Sequence, residues 1–241
     1  LTGARKVQVR PVPSETNLRY QTWVQERRAL VNKASGGRLG YMHIPDTSVS
    51  GIIGFIDGFY SQTDKEGWVI DERYNGGGFI PTFFIEQLSR RMVSVFGPRH
   101  GRPEGLPSAL NGPKAMLINE HAGSGGDMLP YLFKREGLGP LIGTRTWGGL
   151  VGIQGFYDLA GGGGVTAPSF GIYDPKSMQW IAENRGVDPD IEVDDRPDLA
   201  ARGQDVQLDR AIKWLMDRLP AQRQDLSMPP MPRIGENGGG Q

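Results

Sequence analysis

Three short apolar runs most restrict how this chain can fold: "GRLGYMHIPD" at 37–46, "GWVIDERYN" at 67–75 and "KAMLINEHAGS" at 114–124. Each is too short for an amphipathic helix and ends in a turn signal, so each reads as a buried strand with its exit turn. "SGIIGFIDGFYSQTD", between the first two, has the length and apolar content of a helix. The result is a β–α–β unit, and the chain as a whole is expected to be α/β.

Other helices follow from apolar periodicity. Tyr20, Trp23, Val24, Leu30 and Val31 recur at helical spacing between Asn17 and Ala34, while Arg, Gln and Glu fill the other face. Residues 81–93 are expected to form a helix burying Phe83, Phe84 and Leu88, with 97–113 as a Pro- and Gly-rich loop. A helix from Gly126 to Arg135 buries Leu129, Leu132 and Phe133, with Pro130 in its first turn. "LGPLIGTRTWGGLVGI" returns as a strand with a glycine-rich exit. Residues 155–193 read as β-rich excursions around the tract Gly161–Gly164, which resembles a hairpin tip. The last helix, Asp205–Leu219, places Leu208, Ala211, Ile212, Leu215 and Leu219 on one stripe that docks on the sheet. Residues 220–241 carry too little bulky apolar content to bury and are expected to be a disordered tail. "KVQVRPVP" alternates like the last strand of a preceding unit, although residues 1–13 are too few for a domain of their own.

Composition removes several classes of function. Among 241 residues there is no cysteine, which excludes disulfides, thiolate-bound zinc and a cysteine nucleophile and points to the cytoplasm. With 27 basic and 27 acidic side chains, and no long run of one sign, neither a nucleic acid nor a membrane surface is an expected partner. No apolar stretch has the length of a membrane span.

Chemistry concentrates in two glycine-rich strand exits, "NGGGF" at 75–79 and "GSGGD" at 123–127. Following two strands of one sheet, they can lie side by side at its carboxyl edge, where clefts form. Glycines there let backbone N–H groups face outward, so Gly78 and Gly125 together can hold a developing oxyanion beside Ser124. Ala122-Gly123-Ser124-Gly125-Gly126 approximates the small-x-Ser-x-small nucleophile elbow. The competing reading is two tight turns and a serine that only caps a helix. Neither cluster is followed by Lys-Ser or Lys-Thr, which removes the phosphate-binding loop, and no metal-ligand spacing occurs. A base is harder to find. His43 sits inside a strand, His100 in the Pro-Gly loop, and His121 lies three residues before Ser124 on the same exit, badly placed to take its proton.

"DERYNGGGF", "NEHAGSGGD", "LIGTRTWGGLVGI" and "ENRGVDPDIEV", in this order and at these separations, resemble the tricorn proteases, a family within the tail-specific (carboxyl-terminal processing) serine peptidases. The resemblance runs from about Asn17 to Leu219. It implies a single catalytic domain over 14–219 with a crotonase- or ClpP-like sheet flanked by helices, residues 1–13 being the end of a PDZ-like module. It implies Ser124 as nucleophile, Gly78 and Gly125 as oxyanion donors, and Glu183 as the glutamate of a Ser-His-Ser-Glu tetrad. Substrate contacts fall on Gly76, Gly77, Gly78, Gly152, Ile153 and Gln154, with Arg99 as a further one. The family's histidine and its neighbouring serine lie in an earlier domain, so this chain is expected to be inactive alone. By the same resemblance the protein is a homo-oligomer, a hexamer, acting on peptides without cofactor or metal. The family's acidic reader of a basic P1 side chain has no counterpart around Val95–Gly97. Two other classes fit the same turns: a crotonase-like acyl-CoA enzyme, which also pairs backbone N–H groups, and a non-catalytic peptide-binding module.

Overall fold

A computed structural model of the chain describes residues 3–106, 108–222 and 226–230, and within it the side chains of 154–156 are left undescribed. The helices are α1 (Thr16–Ala34), α2 (Val49–Tyr60), α3 (Pro81–Leu88), α4 (Gly125–Arg135), α5 (Pro197–Ala200) and α6 (Val206–Met216). The central strands are β1 (Leu39–His43), β2 (Gly67–Asp71), β5 (Lys114–Ile118), β6 (Leu141–Gly143) and β11 (Ile191–Glu192). They form one parallel sheet in the order β1-β2-β5-β6-β11. Three hairpin-like pairs lie outside it: β3 (Ser94–Phe96) with β4 (Glu104–Leu106), β7 (Gly152–Asp158) with β8 (Gly164–Phe170), and β9 (Tyr173–Asp174) with β10 (Gln179–Trp180).

Alternation along each strand explains why the sheet is covered on both faces. Met42, Trp68, Ile70, Met116, Ile118 and Leu141 point to one side, where Phe55 and Phe59 of α2, Phe84 and Leu88 of α3, and Leu129 and Phe133 of α4 bury them. Leu39, Tyr41, Val69, Ala115, Leu117 and Ile142 point to the other, under Val31 of α1 and Leu208, Ala211 and Leu215 of α6. A parallel sheet buried on both faces calls for near-continuous apolar strands, which is the pattern the sequence carries.

One polar network crosses the second layer. Asp71, at the end of β2 and fully buried, accepts from Arg73 Nε at 2.9 Å and Nη2 at 2.7 Å, and from the Tyr41 hydroxyl at 2.9 Å. Arg73 also reaches both oxygens of Asp205, each at 3.0 Å, and Gln207 Oε1 at 3.1 Å. Asp205 in turn caps α6 by accepting from Leu208 N at 3.0 Å. Burial alone would raise the Asp71 pKa, but the charge and hydrogen bonds of Arg73 more than reverse this and hold it below the usual range. The network therefore fixes α6 to the strand whose exit carries the first glycine turn.

Several expectations are corrected. The helix expected over 81–93 stops at Leu88, beyond which no residue up to 96 is buried, so nothing rewards a further turn. The loop expected at 97–113 contains β4, paired with β3 in an exposed antiparallel ribbon that Pro and Gly content disguised. Pro130 lies at the sixth residue of α4 and not in its first turn; it is buried there, and it removes the bond that would reach the Gly126 carbonyl. "LIGTRTWGGLVGI" yields only β6 before the chain turns irregular through 144–151. Residues 5–12 are exposed and pair with no strand among the described residues. The segments 223–225 and 231–241 of the expected tail lie outside the described residues. No helix among the described residues is long and apolar enough to cross a membrane.

Replacing Arg73 with Met leaves Asp71 in the interior with the Tyr41 hydroxyl but without its compensating charge. Arg73→Met is expected to lower unfolding stability by about 3–5 kcal/mol, read from the urea midpoint.

Candidate active site

Strands β2 and β5 are neighbours in the sheet, which places both glycine turns at its carboxyl edge. Ser124 stands between β5 and α4 with φ 57° and ψ −115°, a conformation costly for any residue with a side chain. It caps α4, and the turn holds it half-buried. Gly77 packs so closely beneath it that a methyl group there would stand 2.7 Å from Ser124 Cβ and 3.0 Å from Oγ.

Gly78 and Gly125 face each other across the turns. A methyl group on Gly125 would stand 2.8 Å from the Gly78 nitrogen and would overlap the Thr47 hydroxyl. Gly78 has φ 139°, open to glycine alone, and a methyl group there would meet the Thr47 carbonyl carbon at 2.5 Å. Gly76 N–H donates to Pro45 O at 2.9 Å and Gly77 N–H to Asn75 Oδ1 at 2.9 Å. The N–H groups of Gly78 and Gly125 have no acceptor among the described residues, and the second opens a helix, where the dipole favours negative charge.

Two buried side chains that the motif reading passed over assemble this geometry. Asn75 donates through Nδ2 to Ile44 O at 3.1 Å, accepts from Gly77, and its carbonyl accepts from Gly123 N at 3.1 Å. Asp127 accepts from Ser124 N at 2.8 Å, from Gly148 N at 2.8 Å and from the Thr146 hydroxyl at 2.5 Å. Thr146 Oγ1 itself accepts from Val187 N at 2.8 Å. Ser-x-x-Asp across 124–127 is the capping-box pattern, and it was the available sequence signal for Asp127.

Glu183 lies at the far end of this scaffold. Its Oε2 accepts from Leu150 N at 2.7 Å and Val151 N at 2.6 Å, immediately before Gly152 and Ile153 at the start of β7. Ala182 and Asn184 on either side have φ 55° and 60°, so the loop presenting this carboxylate is itself strained. Gly152 is buried against the Phe170 ring, and Ile153 is exposed. Gln154 lies in β7 with its side chain outside the described residues. Arg99 stands exposed between β3 and β4, and no hydrogen bond among the described residues ties it to the glycine turns.

None of the three histidines is hydrogen-bonded to Ser124 among the described residues. His43 is buried, donates through Nε2 to Arg73 O at 2.9 Å and accepts at Nδ1 from the Tyr20 hydroxyl at 2.9 Å. Burial lowers its pKa, so it is a neutral structural histidine. His121 is exposed, stacks on Tyr74 at 5.3 Å between ring centres, and has Nε2 3.7 Å from the Glu120 carboxylate. His100 is exposed in the β3–β4 loop.

Glu72, the second residue of "DERYNGGGF" and the first beyond β2, is completely buried and neither carboxyl oxygen has a hydrogen-bond partner among the described residues. Burial, with the charges of Asp127 and Asp71 nearby, pushes its pKa well above the ordinary value of 4.5. Unfolded, Glu72 loses its proton above that value; folded, it keeps the proton to higher pH. Stability is therefore lost as pH rises through the interval between the two pKa values. Glu72→Gln is expected to raise the Tm at neutral pH, with the gain vanishing near about pH 4, in thermal melts across that range.

The sequence profile of peptidase family S41 matches residues 38–193. The chain is 42% identical over 209 residues to tricorn protease homolog 1 of Streptomyces coelicolor, covering 86% of this chain and 20% of that protein. It is 38% identical over 214 residues to the tricorn protease of Thermoplasma acidophilum, covering 88% of this chain and 20% of the relative. A crystal structure of the tricorn protease superimposes with a TM-score of 0.83 at 36% identity, over 88% of this chain and 21% of the other. The chain thus spans about a fifth of the length of these relatives.

Proposed function

Because the chain belongs to peptidase family S41, we propose that it carries the nucleophile and oxyanion hole of a serine peptidase that hydrolyses oligopeptides through an acyl-enzyme on Ser124. The observation that carries this reading is the convergence of a strained serine with two backbone N–H groups, of Gly78 and Gly125, that lack acceptors among the described residues. Ser124 Oγ attacks the scissile carbonyl carbon while its proton passes to a base. The carbonyl oxygen takes up the negative charge and accepts from both N–H groups. Collapse of the intermediate expels the amine, which takes the proton from the base, and water repeats the sequence to release the acid. The substrate backbone runs along Gly76–Gly78 on one side and Gly152–Gln154 on the other, with Arg99 as an additional contact.

The base comes from a histidine outside these residues, since both nitrogens of His43 are engaged and neither His100 nor His121, both exposed, is hydrogen-bonded to Ser124 among the described residues. The family resemblance assigns it to an upstream domain, and the isolated chain is expected to be inactive. Glu183 closes the tetrad. Two backbone N–H groups bind its Oε2, and Oε1 has no hydrogen bond among the described residues, which leaves that oxygen for the group that orients the base. Peptides, the histidine-bearing domain and further copies of the chain in a hexamer are the partners, and the cytoplasm is the compartment. No step calls on a cofactor.

In the protein joined to its histidine-bearing domain, Ser124→Ala is expected to abolish both fluorophosphonate labelling and peptide hydrolysis while peptide binding persists. A crotonase-like acyl-CoA enzyme needs no serine nucleophile, so an unlabelled Ser124 with intact acyl-CoA turnover would favour that class. Near-normal hydrolysis by the alanine variant would sink the assignment of the nucleophile.

Glu183→Gln retains acceptor capacity toward Leu150 and Val151 but removes the charge. We expect a fall in single-turnover rate of about two orders of magnitude or more with little change in peptide affinity. A normal rate with a lowered Tm would reduce Glu183 to an anchor of its loop.

A further inference from the structure

The first glycine turn rests on the segment that follows β1. Pro45 O accepts from Gly76 N at 2.9 Å, Thr47 N donates to Gly77 O at 2.8 Å, and Thr47 O accepts from Ile80 N at 3.1 Å. Thr47 thus holds the chain on both sides of Gly78. Its carbonyl fills the space where a Gly78 side chain would start. Asp46 fixes the direction of this segment, accepting from Ser48 N and Gly51 N, each at 2.9 Å, at the start of α2.

The side chain of Thr47 meets the second glycine turn. Its hydroxyl lies where a methyl group on Gly125 would have to stand, and that position is also 2.8 Å from Gly78 N and 2.6 Å from Gly78 O. Thr47 is fully buried, and Oγ1 has no hydrogen-bond partner among the described residues. A buried hydroxyl without a partner destabilises a fold, and valine at this position would remove that penalty in nearly the same shape. The oxygen does what valine cannot, because it is smaller than a methyl group. The space between the Gly78 and Gly125 backbones admits the smaller atom without pushing the turns apart.

We propose that Thr47 is the positioning residue of the oxyanion hole. Its backbone brackets Gly78 and its hydroxyl wedges against Gly125, which together set the separation of the two N–H groups. This inference rests on the peptidase reading above. It makes Thr47 act through the two donors without touching substrate, so its effect belongs to the tetrahedral state and not to ground-state binding.

The test compares Thr47→Val and Thr47→Ser in the protein joined to its histidine-bearing domain. Measurements are Tm, kcat, KM, and affinity for a peptide aldehyde and for the matching peptide alcohol. The aldehyde carbon bonds to Ser124 Oγ, whose proton passes to the base, and its oxygen becomes the oxyanion; the alcohol reports binding alone. Thr47→Val is expected to keep or raise Tm, leave KM and alcohol affinity within about twofold, and lower kcat and aldehyde affinity together by about tenfold or more. Thr47→Ser, which keeps the oxygen, is expected to recover most of both. Thr47→Val with wild-type kcat, or equal losses of aldehyde and alcohol affinity, would overturn the inference while leaving the peptidase reading intact. If both variants lose kcat in step with a fall in Tm, the role is structural and the inference is also overturned. A wild-type protein that neither hydrolyses peptides nor prefers the aldehyde would overturn the peptidase reading, and this inference with it.

Discussion

The carboxylate of Asp127 is the point on which the site's geometry depends. Buried at the start of α4, it accepts from the Ser124 backbone, the Gly148 backbone and the Thr146 hydroxyl. Thr146 passes the connection to Val187, and the Gly148 carbonyl accepts from Asn184 N at 2.8 Å. Three irregular segments, the serine turn, the 144–151 exit and the 182–187 loop, are thereby referred to one charged group. Burial raises its pKa, and the donors around it oppose that. Irregular backbone at a sheet edge has few hydrogen bonds of its own, so a carboxylate able to accept several N–H groups substitutes for a ladder.

Strained backbone and unsatisfied polar groups occur around the glycine turns and the Glu183 loop. Ser124, Tyr74, Ala182 and Asn184 all have positive φ. The Glu72 carboxyl and the Thr47 hydroxyl are buried without partners among the described residues. On the other face of the same strand, the Asp71–Arg73–Asp205 network is fully engaged. The contrast has a physical basis: a sheet packed on both faces is rigid enough to hold costly conformations at its end, and these are the conformations that present N–H groups and Oγ without local partners. The histidines fit the same division, since the one that is buried, His43, is committed to joining α1 to the exit of β2.

The apolar strand runs, their exit turns and the amphipathic stripe of α6 were legible locally because burial on two faces writes itself into consecutive residues. The pairing of the two glycine turns was also legible, since consecutive β–α–β units place strand ends at a common edge and β2 and β5 became neighbours as that requires. Ser124, Gly78 and Gly125 could therefore be named as a candidate set before any coordinates. The exposed ribbon β3–β4 could not, because three-residue strands on the surface carry no burial pattern.

Only the tertiary structure decided which side chains hold those glycines in register. Thr47, Asn75 and Asp127 lie on three different segments, and beyond the capping box that pairs Asp127 with Ser124 N, nothing in their local sequence tells which distant backbone groups they will meet. The same is true of Glu183, whose bonds to Leu150 and Val151 span more than thirty residues. Periodicity reports which face of an element is buried; a hydrogen bond between distant loops depends on where the packed elements leave their ends. The sequence alone determined the buried strands and the glycine turns at their tips, because burial and turn chemistry are local, and the fold determined the spacing at which those turns are held.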